Sequence, residues 1–175
     1  MARRILQPGV AVVLDTETHA LWGRVMEVAV VDAATGEVLL DSLVNPQIPV
    51  TADVFDVHRI SDAMVADAPT WDEVLPELLR VTDGRKILAC NAEYDQTVIV
   101  GDCWGVETDP QHLRAKDQWG CIMRRRSDWE GVRDFLPLGG GHRVLVDTRA
   151  ALEMLTSLAS APEWVLERLE EKVGA

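Results

Sequence analysis

Four stretches of the chain are dominated by apolar residues, either alternating with polar ones or in short unbroken runs, and this pattern predicts β-strands. The stretches are residues 11–18, 24–32, 37–44 and 87–90. The second and third are separated by Ala33-Ala34-Thr35-Gly36, a turn sequence that is typical of a hairpin. The pattern therefore predicts a three-stranded meander, with the fourth strand able to pair beside the first.

Apolar residues spaced three and four apart predict helices in the remainder of the chain. Helices are expected at 61–65, 70–79, 91–100, 127–136 and 160–169, with another that contains Asp147 and runs through Leu158. Pro76 lies inside the second of these and predicts a kink or an early start. Residues 101–120 contain tryptophans, glycines and acidic residues without a clear period, and predict a loop-rich connection.

Length and composition limit the number of domains. With 175 residues, 47% of them hydrophobic, the chain suffices for one buried core and is short for two. We therefore expect a single domain over residues 1–175. The sequence contains no run of 18 apolar residues and no apolar segment typical of a secretion signal. These features favour a cytoplasmic protein without membrane contact.

The cysteines indicate reduced thiols rather than a disulfide framework, because they are three in number and widely spaced. Cys103, His112 and Cys121 could be imagined as zinc ligands. Their nine-residue spacing matches no common zinc module, so this alternative has little support.

The formal net charge is −12, from 17 basic and 29 acidic residues. Such a surface repels phosphate, so a polyanionic substrate would have to be captured by bound metal and local arginines. The hypothesis that follows is weak, distributive binding, short substrates, or delivery of the substrate by a partner.

The first predicted strand ends with two acidic residues, Asp15 and Glu17. Because side chains alternate along a strand, both project to the same side. Two nearby carboxylates repel each other unless a cation lies between them, and hard ions such as Mg²⁺ or Mn²⁺ suit their oxygens. A solvated turn is the alternative for such a pair, so residues elsewhere must decide.

Three further residues could join this pair. Asp95 falls on the first turn of the helix that follows the fourth strand, although it could equally compensate the helix dipole. His142 follows three glycines and precedes Asp147 by five positions. Five helical residues would turn these two side chains about 140° apart, so they share a site more easily if His142 lies in the loop before the helix. Taken singly, His142 would be a surface histidine and Asp147 an aspartate on the polar face of its helix.

Basic and aromatic residues provide candidates for nucleic acid contacts. Arg124, Arg125 and Arg126 form either a solvated face or a phosphate-binding run. Trp22, Trp104 and Trp129 could stack on unpaired bases or pack in the core.

Three ordered motifs resemble those of the DEDDh 3'-to-5' exonucleases, a family that includes the proofreading subunit of bacterial replicative polymerase, RNase T and oligoribonuclease. Residues 13–18 resemble the first motif, residues 91–95 the second, and residues 142–147 the third, with its H-x4-D spacing. Asn45-Pro46 and the His58-Arg59-Ile60 step resemble the family's linker, although relatives usually have Gly where Arg59 stands.

The resemblance implies an α/β, RNase H-like fold with a central mixed five-stranded sheet flanked by helices. By similarity, two Mg²⁺ or Mn²⁺ ions would be held by Asp15, Glu17, Asp95 and Asp147, and His142 would be the general base. The expected reaction releases nucleoside 5'-monophosphates one at a time from a 3' end. Substrate contacts are expected from Thr16, Thr18, His19, His58, Arg124 and Arg143.

The implied partner is the 3' end of single-stranded DNA or RNA, between which the motifs do not choose. A homodimer and tethering to a polymerase or another protein are both compatible with the family. Two alternatives to the exonuclease remain at this point, namely a non-catalytic nucleic acid-binding scaffold and a metal-dependent phosphoesterase acting on small nucleotides.

Overall fold

A five-stranded mixed sheet lies at the centre of the protein. The computed structural model describes residues 2–133 and 143–160. The strands are β1 (Ala11–Thr18), β2 (Val25–Asp32), β3 (Val38–Leu43), β4 (Lys86–Ala89) and β5 (Trp119–Cys121). Their spatial order is β3-β2-β1-β4-β5, with β1, β2 and β3 antiparallel and β4 and β5 parallel to β1. The predicted meander and its fourth strand are thus confirmed, and so is the fold class.

Helices cover both faces of this sheet. They are α1 (Ala2–Ile5), α2 (Ala52–His58), α3 (Asp62–Val65), α4 (Trp71–Thr82), α5 (Ala92–Gly105), α6 (Ile122–Glu130) and α7 (Val144–Ala159). Val12 and Leu14 of β1 pack against α4 and α5 on one face. Ala11 and Val13, which point the opposite way, pack against α7 on the other. The alternation of side chains along β1 therefore divides the core into two layers.

The predicted loop-rich connection at 101–120 is wrong in part. Helix α5 continues to Gly105, short 3₁₀ turns follow at Gln111–Arg114 and Lys116–Gln118, and β5 begins at Trp119. Strand β5 has only three residues, too few to show a periodicity. It forms because it pairs with β4, with Ile87 opposite Trp119.

The helix predicted to open at Ser127 begins five residues earlier, at Ile122. Ser127 lies inside it, where its hydroxyl donates to the Met123 carbonyl at 3.1 Å. The helix ends at Glu130 because Gly131 adopts a left-handed conformation, with φ of +69°. The remainder of that predicted helix, and nearly all of the one expected at 160–169, lie outside the described residues.

Helix α2 was not predicted, whereas α3, α4 and α5 lie where the pattern places them. Helix α4 opens with the Thr70 N–H donating to the Glu73 carboxylate at 2.8 Å, and it continues through Pro76. Within residues 2–133 and 143–160, no helix combines the length and apolar character needed to cross a membrane.

Candidate active site

Asp15 and Glu17 lie near the carboxyl end of β1, on the face of the sheet that α7 covers. Strand alternation places both on the same side as Ala11 and Val13. The acidic pair therefore follows directly from the strand that the sequence predicts.

Asp147 approaches this pair from α7. The helix begins at Val144, so Asp147 lies on its first turn. One carboxylate oxygen from each of Asp15, Glu17 and Asp147 lies within 4.8 Å of the other two. We call these three residues the carboxylate triad. Three residues from two separate motifs are thereby brought together.

Asp95 reaches the triad from the other layer of the fold. It lies on the first turn of α5 and is buried. Its Oδ1 accepts a hydrogen bond of 2.8 Å from the Thr16 hydroxyl, which points away from Asp15 and Glu17 on β1. Asp95 is therefore adjacent to the triad but anchored from the opposite face of the sheet.

Burial and mutual repulsion disfavour negative charge in this group. Burial raises the pKa of Asp15 well above its usual range, and the neighbouring carboxylates, Asp95 first, raise it further. Burial and then Asp147 raise the pKa of Glu17 to about 7. Burial raises the pKa of Asp95 to about 7. Near neutral pH, without a cation, these carboxylates are therefore only partly ionised.

The donor set suits a hard divalent metal ion. Carboxylate oxygens are the ligands that Mg²⁺ and Mn²⁺ prefer, and a cation would remove the repulsion that raises these pKa values. Among the described residues, the triad is the only group of three or more acidic, histidine or cysteine side chains whose ligand atoms lie this close together. The residues thus fit a metal, while the zinc alternative at Cys103, His112 and Cys121 has no such grouping.

Arg143, expected to contact substrate, pairs with Glu27 of β2. Its Nε lies 3.0 Å from both carboxylate oxygens of Glu27. Its side chain remains 45% exposed. The predicted substrate contact stays a prediction, and the ion pair adds a structural role. His142, the preceding residue, lies outside the described residues.

His19 and His58 lie in the hydrogen-bond network at the end of β1. The Nδ1 of His19 accepts from the Arg24 N–H at 2.7 Å. A Cβ at Gly23 would come within 2.5 Å of the His19 ring, so the turn that joins β1 to β2 requires glycine there. The Nδ1 of His58 accepts from the Ile60 N–H at 3.0 Å, which leaves Nε2 to donate to the Thr18 carbonyl at 3.1 Å.

The turn that joins β1 to β2 exposes an aromatic residue that packs on Tyr94, the neighbour of Asp95 in sequence. Trp22 is 55% exposed and has a φ of +59°, a conformation that a bulky residue rarely adopts. Its ring centroid lies 4.8 Å from that of Tyr94. The Tyr94 hydroxyl and the Thr18 hydroxyl are 2.7 Å apart. Since the Thr18 hydroxyl donates to the Ala20 carbonyl, it accepts from Tyr94. The turn is therefore built to hold Trp22 in place.

Arg124 is exposed on the first turn of α6. The neighbouring Met123 N–H donates to the Cys90 carbonyl at 3.1 Å. Cys90 lies close enough to the triad that burial, followed by Asp15 and Asp95, raises the pKa of its thiol to about 12. The start of α6 is thereby held beside the site, with Arg124 facing solvent.

Comparison with known proteins assigns the family. Residues 12–155 match the RNase T family of exonucleases. The chain belongs to this exonuclease family. The resemblance drawn from the three motifs is thus confirmed, and the chain is a hydrolytic enzyme rather than a scaffold.

Individual members of the exonuclease family show the extent of the likeness. Exodeoxyribonuclease 10 of Escherichia coli strain K12 is 26% identical over 179 residues, covering 93% of this chain and 74% of that protein. The DNA polymerase III PolC-type of Caldanaerobacter subterraneus is 33% identical over 96 residues, covering 52% of this chain and 7% of that protein. The structure of Exonuclease X in complex with 5' overhanging duplex DNA aligns with a TM-score of 0.63 and 25% identity, covering 91% of this chain and 99% of that one.

Sequence reasoning did not single out Glu27, although a signal was present. Glu27 interrupts the otherwise apolar run from Val25 to Val31, and it is 3% exposed. A charged residue inside such a strand requires a partner, because burying an unpaired charge is costly. The partner could not be identified, since it lies 116 positions away.

Proposed function

We propose that this exonuclease is metal-dependent and acts in the 3'-to-5' direction, releasing nucleoside 5'-monophosphates from single-stranded 3' ends of DNA. The carboxylate triad carries the proposal, because three oxygen ligands from two distant motifs lie within 4.8 Å of one another. Asp95 adjoins them, with its pKa raised by the same burial.

The proposed roles follow from the placement of the side chains. Asp15, Glu17, Asp95 and Asp147 would hold two Mg²⁺ or Mn²⁺ ions. Bound there, the two ions would neutralise the scissile phosphate and favour both attack by water and departure of the 3' oxygen. By fixing the positions of these ions, the four carboxylates would orient the phosphate.

His142 is the proposed general base, which takes the proton of the attacking water. Helix α7 begins at Val144, so His142 precedes the helix in the chain. This supports the expectation that it can share a site with Asp147, since the separation of about 140° applies to residues of one continuous helix and α7 begins only at Val144.

DNA is the proposed substrate because two of the relatives that match most of this chain have DNA in their descriptions. One is named an exodeoxyribonuclease, and another is seen in complex with a 5' overhanging DNA duplex. Trp22 would stack on an unpaired base and Arg124 would contact a backbone phosphate, the classes of contact that bind single strands without regard to sequence. The match to a PolC-type polymerase supports association with a polymerase as a further proposal.

A time course on labelled oligonucleotides tests the proposal. Matched 5'-labelled single-stranded DNA and RNA oligomers would be incubated with Mg²⁺, Mn²⁺ or EDTA and resolved on a sequencing gel. We expect a one-nucleotide ladder on DNA that requires metal and is blocked by phosphorothioate linkages at the 3' end only. The Asp15→Asn variant should lose the ladder, whereas Asp67→Asn, a change at an exposed aspartate, should retain it.

The other outcomes are equally informative. A faster ladder on RNA would reassign the substrate, and blockage by 5' linkages would overturn the direction. Cleavage of bis-p-nitrophenyl phosphate without any ladder would favour the phosphoesterase of small nucleotides.

A further inference from the structure

Glu27 is a buried carboxylate to which the proposed reaction gives no role. It lies on β2 directly opposite Glu17 of β1. Residues paired in this way on antiparallel strands have side chains on the same face, and like charges there destabilise the pair. Glu27 therefore needs a cationic partner that offsets its repulsion with Glu17.

Arg143 is that partner. Its Nε lies 3.0 Å from both oxygens of Glu27, and its Nη2 lies 2.5 Å from Oε1. A planar guanidinium that reaches both oxygens fixes the orientation of a carboxylate as well as neutralising it. The charge of Glu27 is thus both compensated and held in place.

Glu27 also binds the first turn of α7. Its Oε2 accepts from the Val144 N–H at 3.3 Å, and Arg143 is the residue that precedes the helix. The first amides of a helix have no partner within it, and a carboxylate is favourable there. One side chain on β2 therefore attaches the start of α7 to the sheet at two points.

Asp147 depends on this attachment more than the other triad members do. Asp15 and Glu17 belong to the sheet itself, whereas Asp147 lies three residues beyond Val144, about 4.5 Å along the axis of α7. We infer that the Glu27–Arg143 pair is a positioning device, which sets α7 against the sheet so that Asp147 meets Asp15 and Glu17 at the spacing that a shared divalent cation requires.

This inference rests on the proposed metal site. A positioning role of the Glu27–Arg143 pair can be distinguished from a purely electrostatic effect of the pair on the cation. If the pair acted only through its charges, removing Arg143 would strengthen cation binding and removing Glu27 would weaken it. Removing both side chains would restore the affinity for the cation. If the pair positions α7, each single change must weaken binding, and the double change must add little, because both disrupt one attachment.

The experiment measures Mn²⁺ binding by isothermal titration calorimetry, without DNA, on metal-stripped protein. Glu27→Gln, Arg143→Gln and the double variant should each weaken binding about tenfold, as for other groups that orient metal ligands. Arg143→Lys, which keeps the charge but not the two-oxygen contact, should fall between wild type and Arg143→Gln. Thermal melts would confine the comparison to folded protein.

Arg85→Gln is the matched control. Arg85 pairs with Asp32, another buried carboxylate on β2, at 3.1 Å, so the charge change is the same but lies away from the start of α7. Its Mn²⁺ affinity should equal that of wild type.

Two results would overturn the inference while leaving the metal site intact. They are unchanged affinity in the Glu27 and Arg143 variants, and opposite changes in the two single variants. Wild-type protein that binds no Mn²⁺ would overturn the metal site itself, and this inference with it.

Discussion

The Thr16 hydroxyl donates a hydrogen bond of 2.8 Å to Asp95 Oδ1, across 79 positions of sequence. It joins the first and second motifs through the interior of the protein. Because the bond is made to the ionised carboxylate, it lowers the pKa of Asp95, although burial raises that pKa to about 7 overall. Thr16 therefore helps to keep Asp95 charged, which is the form that binds a cation.

Thr16→Val should weaken Mn²⁺ binding at pH 7 about tenfold, because Asp95 loses a hydrogen bond that stabilises its charged form. Raising the pH to 8.5 should recover most of the loss, since Asp95 then ionises without help. Thr16→Ser keeps the hydroxyl and serves as the control. Calorimetry would measure both variants, and equal affinities for Val and Ser at pH 7 would contradict the role given to the hydroxyl.

The stability of the metal-free protein should fall as pH rises. The pKa of Glu17 is raised from 4.5 to about 7 in the folded state, so between these values the folded protein holds a proton that the unfolded chain releases. The resulting stability is fully present below pH 4.5 and is lost as pH rises to about 7. Asp15 acts in the same direction, because its pKa is raised too.

Melting curves in EDTA would measure this effect. Between pH 5 and pH 8 the Glu17 contribution should decrease by about 2 kcal/mol, allowing for partial solvent exposure, which corresponds to about 5 °C in Tm. Glu17→Gln should show a smaller fall, whereas Glu93→Gln, a change at an exposed residue, should behave as wild type. Added Mn²⁺ should raise Tm most at pH 8. An identical pH dependence in wild type and Glu17→Gln would refute the assignment.

Local pattern was sufficient to predict the parts of the site that lie on single elements. The alternation along β1 placed Asp15 and Glu17 on one side, and the strand-to-helix step placed Asp95 on a first turn. These features depend on residues that are near in sequence. The three motifs in order then indicated the family, which the match over residues 12–155 confirms.

The parts that could not be predicted depend on distant contacts or on competing local signals. The Glu27–Arg143 pair joins residues 116 positions apart, and β5 is too short to have a period of its own. At α6, Ser127 and Glu130 match a helix-start pattern, but the left-handed Gly131 makes Glu130 the end of the helix instead.

The backbone conformation at Arg59 predicts that a glycine variant is more stable than an alanine variant, the reverse of the usual order. Arg59 ends α2 with a φ of +60°, a region that glycine enters without strain. Arg59→Gly should therefore be more stable than Arg59→Ala by about 1 kcal/mol. At Arg80, inside α4, the alanine variant should instead be more stable than the glycine variant by a similar amount. Urea unfolding of the four variants would measure both differences, and alanine being favoured at both positions would contradict the assignment.

Trp22 should contribute to substrate binding rather than to the chemical step. It is exposed and supported by Tyr94, the neighbour of Asp95 in sequence, and stacking of one base on an aromatic ring contributes about 1–3 kcal/mol. Trp22→Ala should therefore raise KM for single-stranded DNA about tenfold with little change in kcat, and Trp22→Phe should retain most of the affinity. Trp104→Ala is the matched control, because Trp104 is 67% exposed but lies at the opposite end of α5 from Asp95. Steady-state kinetics on a labelled oligonucleotide would decide, and equal KM values for the two alanine variants would exclude stacking on Trp22.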